Sequence, residues 1–183
     1  MFYSTLVDST EELQQILQLQ KENLVPNIDE AEMRSQGFVT LNHTPEVLEQ
    51  MHWLAPSVII KDEDKVVAYA LTMLRECRQL VVGLEPMFAL LDGLSWKNKP
   101  LNTYKFYVMG QVCIAKRYRG QGLFDELYRH HKKIYQLQFN LFITQISIHN
   151  HRSIRAHEKV GFKTIHTHRD SLDEWVVVAW DWS

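Results

Sequence analysis

The stretch Gln111-Val-Cys-Ile-Ala-Lys-Arg-Tyr-Arg-Gly-Gln-Gly-Leu-Phe-Asp-Glu-Leu127 constrains the fold more than any other part of the chain. An apolar run passes into a basic turn punctuated by glycine, and an amphipathic segment follows. Residues 104 to 114 are rich in β-branched and aromatic side chains and read as a strand. After the turn, Leu123, Leu127, Ile134 and Leu137 recur at roughly helical spacing, so a helix is expected from near Gly122 to about Gln138. Gly120 and Gly122 let the backbone take angles that other residues avoid, so several N–H groups can approach one anion. The positive end of the helix dipole reinforces them, and Arg117 and Arg119 add charge suited to a pyrophosphate or ribose phosphate. This is the layout of a phosphate cradle. Spacing sets aside two familiar versions, because there is no Gly-x-x-x-x-Gly-Lys-Ser/Thr run and no three-glycine dinucleotide fingerprint.

What remains, Arg117-x-x-Gly120-x-Gly122, resembles the Gln/Arg-x-x-Gly-x-Gly/Ala motif of the GNAT acetyltransferase superfamily. Downstream, Asn150-His-Arg-Ser153-Ile-Arg-Ala-His157-Glu-Lys-Val-Gly161-Phe162 is similar to that family's later signature, Asn-x-x-Ala/Ser followed by Tyr-Glu-Lys-x-Gly-Phe. One expected helix and one apolar strand, Leu141 to Ile148, lie between the two motifs, which fits the family's interval. The resemblance covers residues 57–183 well and the N-terminal part loosely.

The resemblance implies an α/β (α+β) fold, a mixed, mostly antiparallel central sheet flanked by helices, with residues 1–183 forming one domain. It implies an N-acetyltransferase that passes acetyl from acetyl-CoA, its co-substrate, to a primary amine of a small molecule by direct attack. The cofactor's pyrophosphate would lie on Arg117, Arg119, Gly120, Gln121, Gly122 and Leu123, with a further contact from Asn150, whose other reading is a helix N-cap. Where the central strand splays from its neighbour in the family, amides of Val112, Cys113 and Ile114 would hold the pantetheine and the thioester oxygen. His157 occupies the place of the tyrosine that protonates the departing thiolate in most relatives, so it is the expected acid, with packing as the other reading. A non-catalytic acyl-CoA sensor and a protein N-acetyltransferase stay open as alternatives.

Composition narrows the remaining classes. With 183 residues, 45% of them hydrophobic and 23% charged, the chain suits one domain with its own core. A net charge of -2 gives no basic field for nucleic acid. No segment stays apolar for the roughly 18 residues a membrane span needs, and the first residues lack the basic start of a leader. Cys77 and Cys113 read as reduced thiols, which fits a cytoplasmic protein. His149-x-His151 and His166-x-His168 have a spacing found in metal sites but lack a placed third ligand, so no metal is expected. Trp175, Trp180 and Trp182 are expected to pack on the last strand, or to serve a homodimer.

Taken in order, Phe2 to Val7 reads as a strand, and Ser9-Thr-Glu-Glu12 as the capping box of a first helix. Asn23 to Gly37 is a connection with short helical pieces, and Thr44-Pro45 opens a second helix running to Trp53. Ser57 to Leu74 is a hairpin about Lys61 to Lys65. Arg75 to Leu101, with Gly83, Pro86, Gly93 and Pro100, holds a short helix or lid around Met87 to Leu91, or else a packed excursion. Ser153 to Val160 is a helix ended by Gly161, and Lys163 to His168 with Glu174 to Trp182 form a last strand pair. Glu76, Tyr107, Gln111 and His43 are polar groups in segments that could face the acceptor, each with an ordinary surface or half-buried residue as its other reading, and the sequence does not choose a base among them. The thiol of Cys113 invites a covalent intermediate, against the plainer reading of a small buried side chain.

Overall fold

A computed structural model describes residues 2–183 apart from 29, 31–32, 34–38, 40, 81–83 and 172. Its first helix, α1 (Thr10–Asn23), starts where Ser9 Oγ accepts from the Glu12 amide at 3.3 Å. Glu12 reaches back to the amide of Asp8 at 2.9 Å, and its other oxygen accepts from Lys61 Nζ at 2.7 Å. The capping residue therefore also ties α1 to the second strand. α2 (Pro45–Leu54) has proline in its first turn and Thr44 Oγ1 accepting from Val47 N, as the sequence indicates.

Strands β1 (Phe2–Leu6), β2 (Val58–Asp62), β3 (Lys65–Met73), β6 (Phe106–Ile114), β7 (Leu141–Ser147), β8 (Lys163–Arg169) and β9 (Glu174–Asp181) form one sheet among the described residues. Its order is β1-β2-β3-β6-β7-β9-β8. Every neighbouring pair is antiparallel except β6 with β7, so the expected mixed, mostly antiparallel sheet is present. The hairpin between β2 and β3 turns on Glu63, at φ 55°. Two cores result, one on each face. Ile16, Leu48, Tyr69, Leu71 and Val177 pack beneath α1 and α2. Val58, Tyr107, Leu127, Tyr128 and Phe142 pack on the other face beneath α4 (Leu123–Tyr135).

The described residues between 75 and 103 form a packed excursion: α3 (Glu85–Gly93) buries Phe88 and Leu91 in the α1/α2 core. A small hairpin follows, β4 (Ser95–Trp96) with β5 (Lys99–Pro100). Ion pairs of Arg78 with Glu85 and Asp92, each at 2.6 Å, brace its outer side. Gly37 and Gly83 lie outside the described residues. α5 (His151–Val160) ends at Gly161, whose φ of 122° suits glycine.

One irregularity shapes the middle of the sheet. Ala70 pairs with Val112 and Thr72 with Met109, so Leu71 opposes both Gly110 and Gln111. Two residues against one make a β-bulge, which bends its strand. On the other side of β6, pairing with β7 covers only Phe106–Val108 against Leu141–Ile143. Beyond it the strands part, and Thr144 Oγ1 donates to Met109 O at 3.2 Å across the apex.

Candidate active site

The parting of β6 and β7 opens a cleft of about 410 Å³. Met109 to Ile114 form one wall and Thr144 to Ser147 the other, with the turn before α4 and the inner face of α5 at one end. Ala115 N donates to Val67 O, and Cys113 lies opposite Tyr69. Antiparallel strands alternate the direction of their backbone groups, so Cys113 directs its amide to β3, while Val112 and Ile114 direct theirs into the wedge. Of the three amides expected there, Cys113's is therefore excluded. Its thiol is buried on the opposite face of β6 from Val112, and burial pushes its pKa up to about 12. A thiol so far from ionisation is no nucleophile at neutral pH.

At the cradle, Gly120 and Gly122 take φ values of 77° and 80°. A Cβ placed on either would meet no atom within 4 Å. The turn is thus held in a glycine conformation with open space above it. Gly122 is the N-cap of α4 without any side-chain cap, so the first amides of the helix depend on an outside partner. Gly120, Gly122 and Leu123 line the cleft; Arg117 and Gln121 stand outside it. Arg117 is exposed, and its carbonyl accepts from Gln121 Nε2 at 3.0 Å.

Arg119 lines the cleft in a different manner from the one expected. Its Nε donates to Ile114 O at 3.1 Å and a terminal nitrogen to Asn23 Oδ1 at 2.5 Å. The guanidinium is a strut joining the end of β6 to the end of α1. Asn150 is the N-cap of α5, its Oδ1 accepting from Ser153 N at 3.1 Å, and it also lines the cleft.

His157 reaches the cleft wall with both nitrogens engaged. The carbonyl of Ser153 can only accept, so the Nδ1 bonded to it at 2.7 Å carries the ring hydrogen. Nε2 then accepts from Tyr128 Oη at 2.5 Å. Burial drops the His157 pKa to about 4, so the ring is neutral near pH 7 and cannot serve as an imidazolium acid.

Of the four base candidates only Gln111 reaches the cleft. Its Oε1 accepts from Tyr69 Oη at 2.6 Å and Gln20 Nε2 at 2.7 Å, and its amide donates to Leu41 O. Tyr107 is buried on the other face beside His131, and Glu76 is exposed on a short 3-10 turn. His43 N donates to Gln20 Oε1, which orients that amide so that its NH₂ donates to His43 Nδ1 at 2.8 Å. The hydrogen of His43 is therefore on Nε2, and burial lowers its pKa to about 4.

A profile of the acetyltransferase (GNAT) family matches residues 13–162. The chain belongs to the GNAT family. Solved structures agree with this fold. The ribosomal-protein-S18-alanine N-acetyltransferase of Escherichia coli superposes with a TM-score of 0.68 at 12% identity, over 100% of this chain and 95% of that one. A Salmonella typhimurium protein described as an acetyltransferase and solved with its cofactor acetyl-CoA gives 0.65 at 12% identity, over 100% and 95%. A protein described as a phosphinothricin N-acetyltransferase gives 0.62 at 17% identity, over 100% and 99%. No curated protein sequence matches the chain.

Within this GNAT domain, the sequence reading missed several lining residues. Arg152, Ala156 and Lys159 join Ser153 and His157 on one face of α5, a helical spacing that was available to it. Gln145 and Trp175 carried no such signal. Trp180 and Trp182 pack edge-to-face at 5.4 Å within an aromatic cluster that includes Phe142 and Phe162. Among the described residues no three His, Cys, Asp or Glu side chains gather as a metal site, and no helix is long and apolar enough to cross a membrane.

Proposed function

We propose that this chain transfers acetyl from acetyl-CoA to a primary amine of a small molecule by direct attack. One observation carries the reading: the wedge between β6 and β7 opens onto the glycine turn and the uncapped start of α4 within a single cleft. The amides of Gly120, Gly122 and Leu123 would hold the pyrophosphate at the positive end of α4. Arg152 and Lys159, on the cleft's α5 wall, add charge of the right sign. Acetyl-CoA supplies an activated thioester. Val112 and Ile114 present edge amides where its carbonyl oxygen would lie, fixed donors that act where charge develops.

The acceptor amine enters neutral and attacks the carbonyl carbon; the amide forms as the carbon–sulfur bond breaks, and the one proton the nitrogen gives up balances the one that ends on the sulfur of free CoA. The sulfur then needs a proton or a hydrogen bond. Ser153 lines the cleft, and its Oγ lies 3.3 Å from a His157 Nδ1 that already carries a hydrogen and donates it to Ser153 O, so the hydroxyl keeps its own hydrogen for the sulfur. The relatives' names include both a protein and a small-molecule acceptor, so a short peptide belongs in the acceptor panel.

Calorimetry with acetyl-CoA, together with a thiol-release assay over amines, tests the proposal. Parental protein should bind, and Gly120→Val should bind more than tenfold more weakly, about 1.4 kcal/mol. Unchanged affinity in a folded Gly120→Val variant removes the cradle from the mechanism. Binding without thiol release on any amine would favour an acyl-CoA sensor.

A further inference from the structure

On one face of the C-terminal half of the sheet, polar atoms collect without partners. Antiparallel register sets Ser147, Trp175 and His168 side by side across β7, β9 and β8, with Gln145, Val177 and His166 in the next row. Residues opposed in this manner share a face, their Cβ atoms about 5 Å apart, so the six form one patch. Val177 packs in the α1/α2 core, which identifies the face. The rings of His166 and His168 stack along it at 5.8 Å.

Within the patch, Gln145 Oε1, Trp175 Nε1 and His168 Nδ1 are each shut off from solvent and have no hydrogen-bond partner among the described residues. Buried polar atoms are costly to leave unpaired. The other atoms of this kind are scattered: His43 Nε2 before α2, His52 Nδ1 on it, and Trp182 Nε1 beyond the end of β9. Gln145 and Trp175 also line the cleft.

We propose that Gln145, Trp175 and His168 recognise the acceptor, and that the acceptor is an amine that also carries a carbonyl or carboxylate oxygen. The assignment rests on the acetyl-transfer reading above and deepens it. An indole N–H can only donate, so Trp175 calls for an acceptor, which a carbonyl or carboxylate oxygen supplies; an amide oxygen can only accept, so Gln145 calls for a donor, which the amine N–H supplies. Gln145 belongs to β7, a wall of the wedge, whereas Trp175 and His168 lie one and two strands further out. The ligand therefore points its amine toward the wedge and its oxygen away. Burial and the nearby His166 hold the His168 pKa below its ordinary value. An alkylamine without the oxygen would leave Trp175 as unpaired as it is without ligand.

The chain has five tryptophans, and the indole signal lost in Trp175→Phe identifies the relevant one in an isotope-labelled sample. Glycinamide, a glycine-led tripeptide and ethylamine are each titrated with and without acetyl-CoA. Glycinamide should move the Trp175 signal, and ethylamine should not. The tripeptide arm separates a free amino compound from a chain terminus, both of which carry the proposed chemistry. Trp175→Phe, and Gln145→Met as a second variant of similar shape, should each weaken glycinamide binding at least tenfold, and by a larger factor than either weakens acetyl-CoA binding. A Trp175 signal that ethylamine and glycinamide move equally, or that neither moves, overturns the assignment. Absence of acetyl-CoA binding in the parent instead overturns the acetyl-transfer reading, while the amine titration still judges the patch.

Discussion

The hydroxyl of Tyr128 donates to His157 Nε2 at 2.5 Å, and the pair is buried between α4 and α5 behind the cleft wall. Removing that hydroxyl leaves a buried imidazole nitrogen unpaired. Tyr128→Phe should therefore cost about 1–3 kcal/mol in urea unfolding. Because the ring stays neutral, kcat should not fall as pH rises from about 6 to 8. Ser153→Ala should lower kcat more than it weakens acetyl-CoA binding. A rate that declines through the ordinary histidine pKa would restore His157 as an imidazolium acid.

Three buried histidines set a pH window for stability. Burial lowers His43 and His157 from 6.5 to about 4, and His131 from 6.5 to about 3. Below about 6.5 the unfolded chain binds protons that the folded one refuses, so stability falls with pH until the folded values are reached. Each unit of separation is worth about 1.4 kcal/mol per group. Glu12 and Glu85, lowered from 4.5, act only below this range. The urea midpoint should thus hold above about pH 7 and drop between roughly 6.5 and 4.5. A midpoint that is level from pH 7 to 5 would show these rings to be solvated.

What could be read from the sequence was local. Ser9, Thr44, Gly122 and Gly161 mark helix ends through contacts with residues a turn away, and the structure places those ends within a few positions of the reading. Strand faces were less legible because they depend on register. Tyr107 and Gln111 are four apart and should share a face of a regular strand. The bulge opposite Leu71 sends them to opposite faces, Tyr107 to His131 and Gln111 to Tyr69. The Gln145, Trp175 and His168 patch exists only through the pairing of three strands, and no local pattern announces it.

The thiols give a direct check on the route of transfer. Burial raises Cys113 to about 12 and Cys77 to about 11. Both should resist alkylation in the folded protein near pH 8, since the thiolate is the reactive form. Cys113→Ala should keep kcat within about threefold, because alanine also suits a small buried strand position. Trapping of an acetylated Cys113 in quenched reactions would contradict direct attack.

Arg117 and Arg119 separate two ways in which a basic turn can serve a phosphate. Arg117 is exposed outside the cleft, so Arg117→Ala removes a charge that solvent already screens. Its effect on the KM for acetyl-CoA should stay within about twofold. Arg119 holds Ile114 O and Asn23 Oδ1 together, and Asn23 Nδ2 in turn donates to Leu19 O. Arg119→Ala should release the end of β6 and the end of α1 at once, raising the KM for acetyl-CoA by about tenfold and also disturbing the acceptor KM. Asn23→Ala cuts one arm of the strut, so it should reproduce part of the Arg119 defect without touching the turn's charge. If Asn23→Ala is silent while Arg119→Ala affects acetyl-CoA alone and the defect shrinks in high salt, Arg119 acts on phosphate directly.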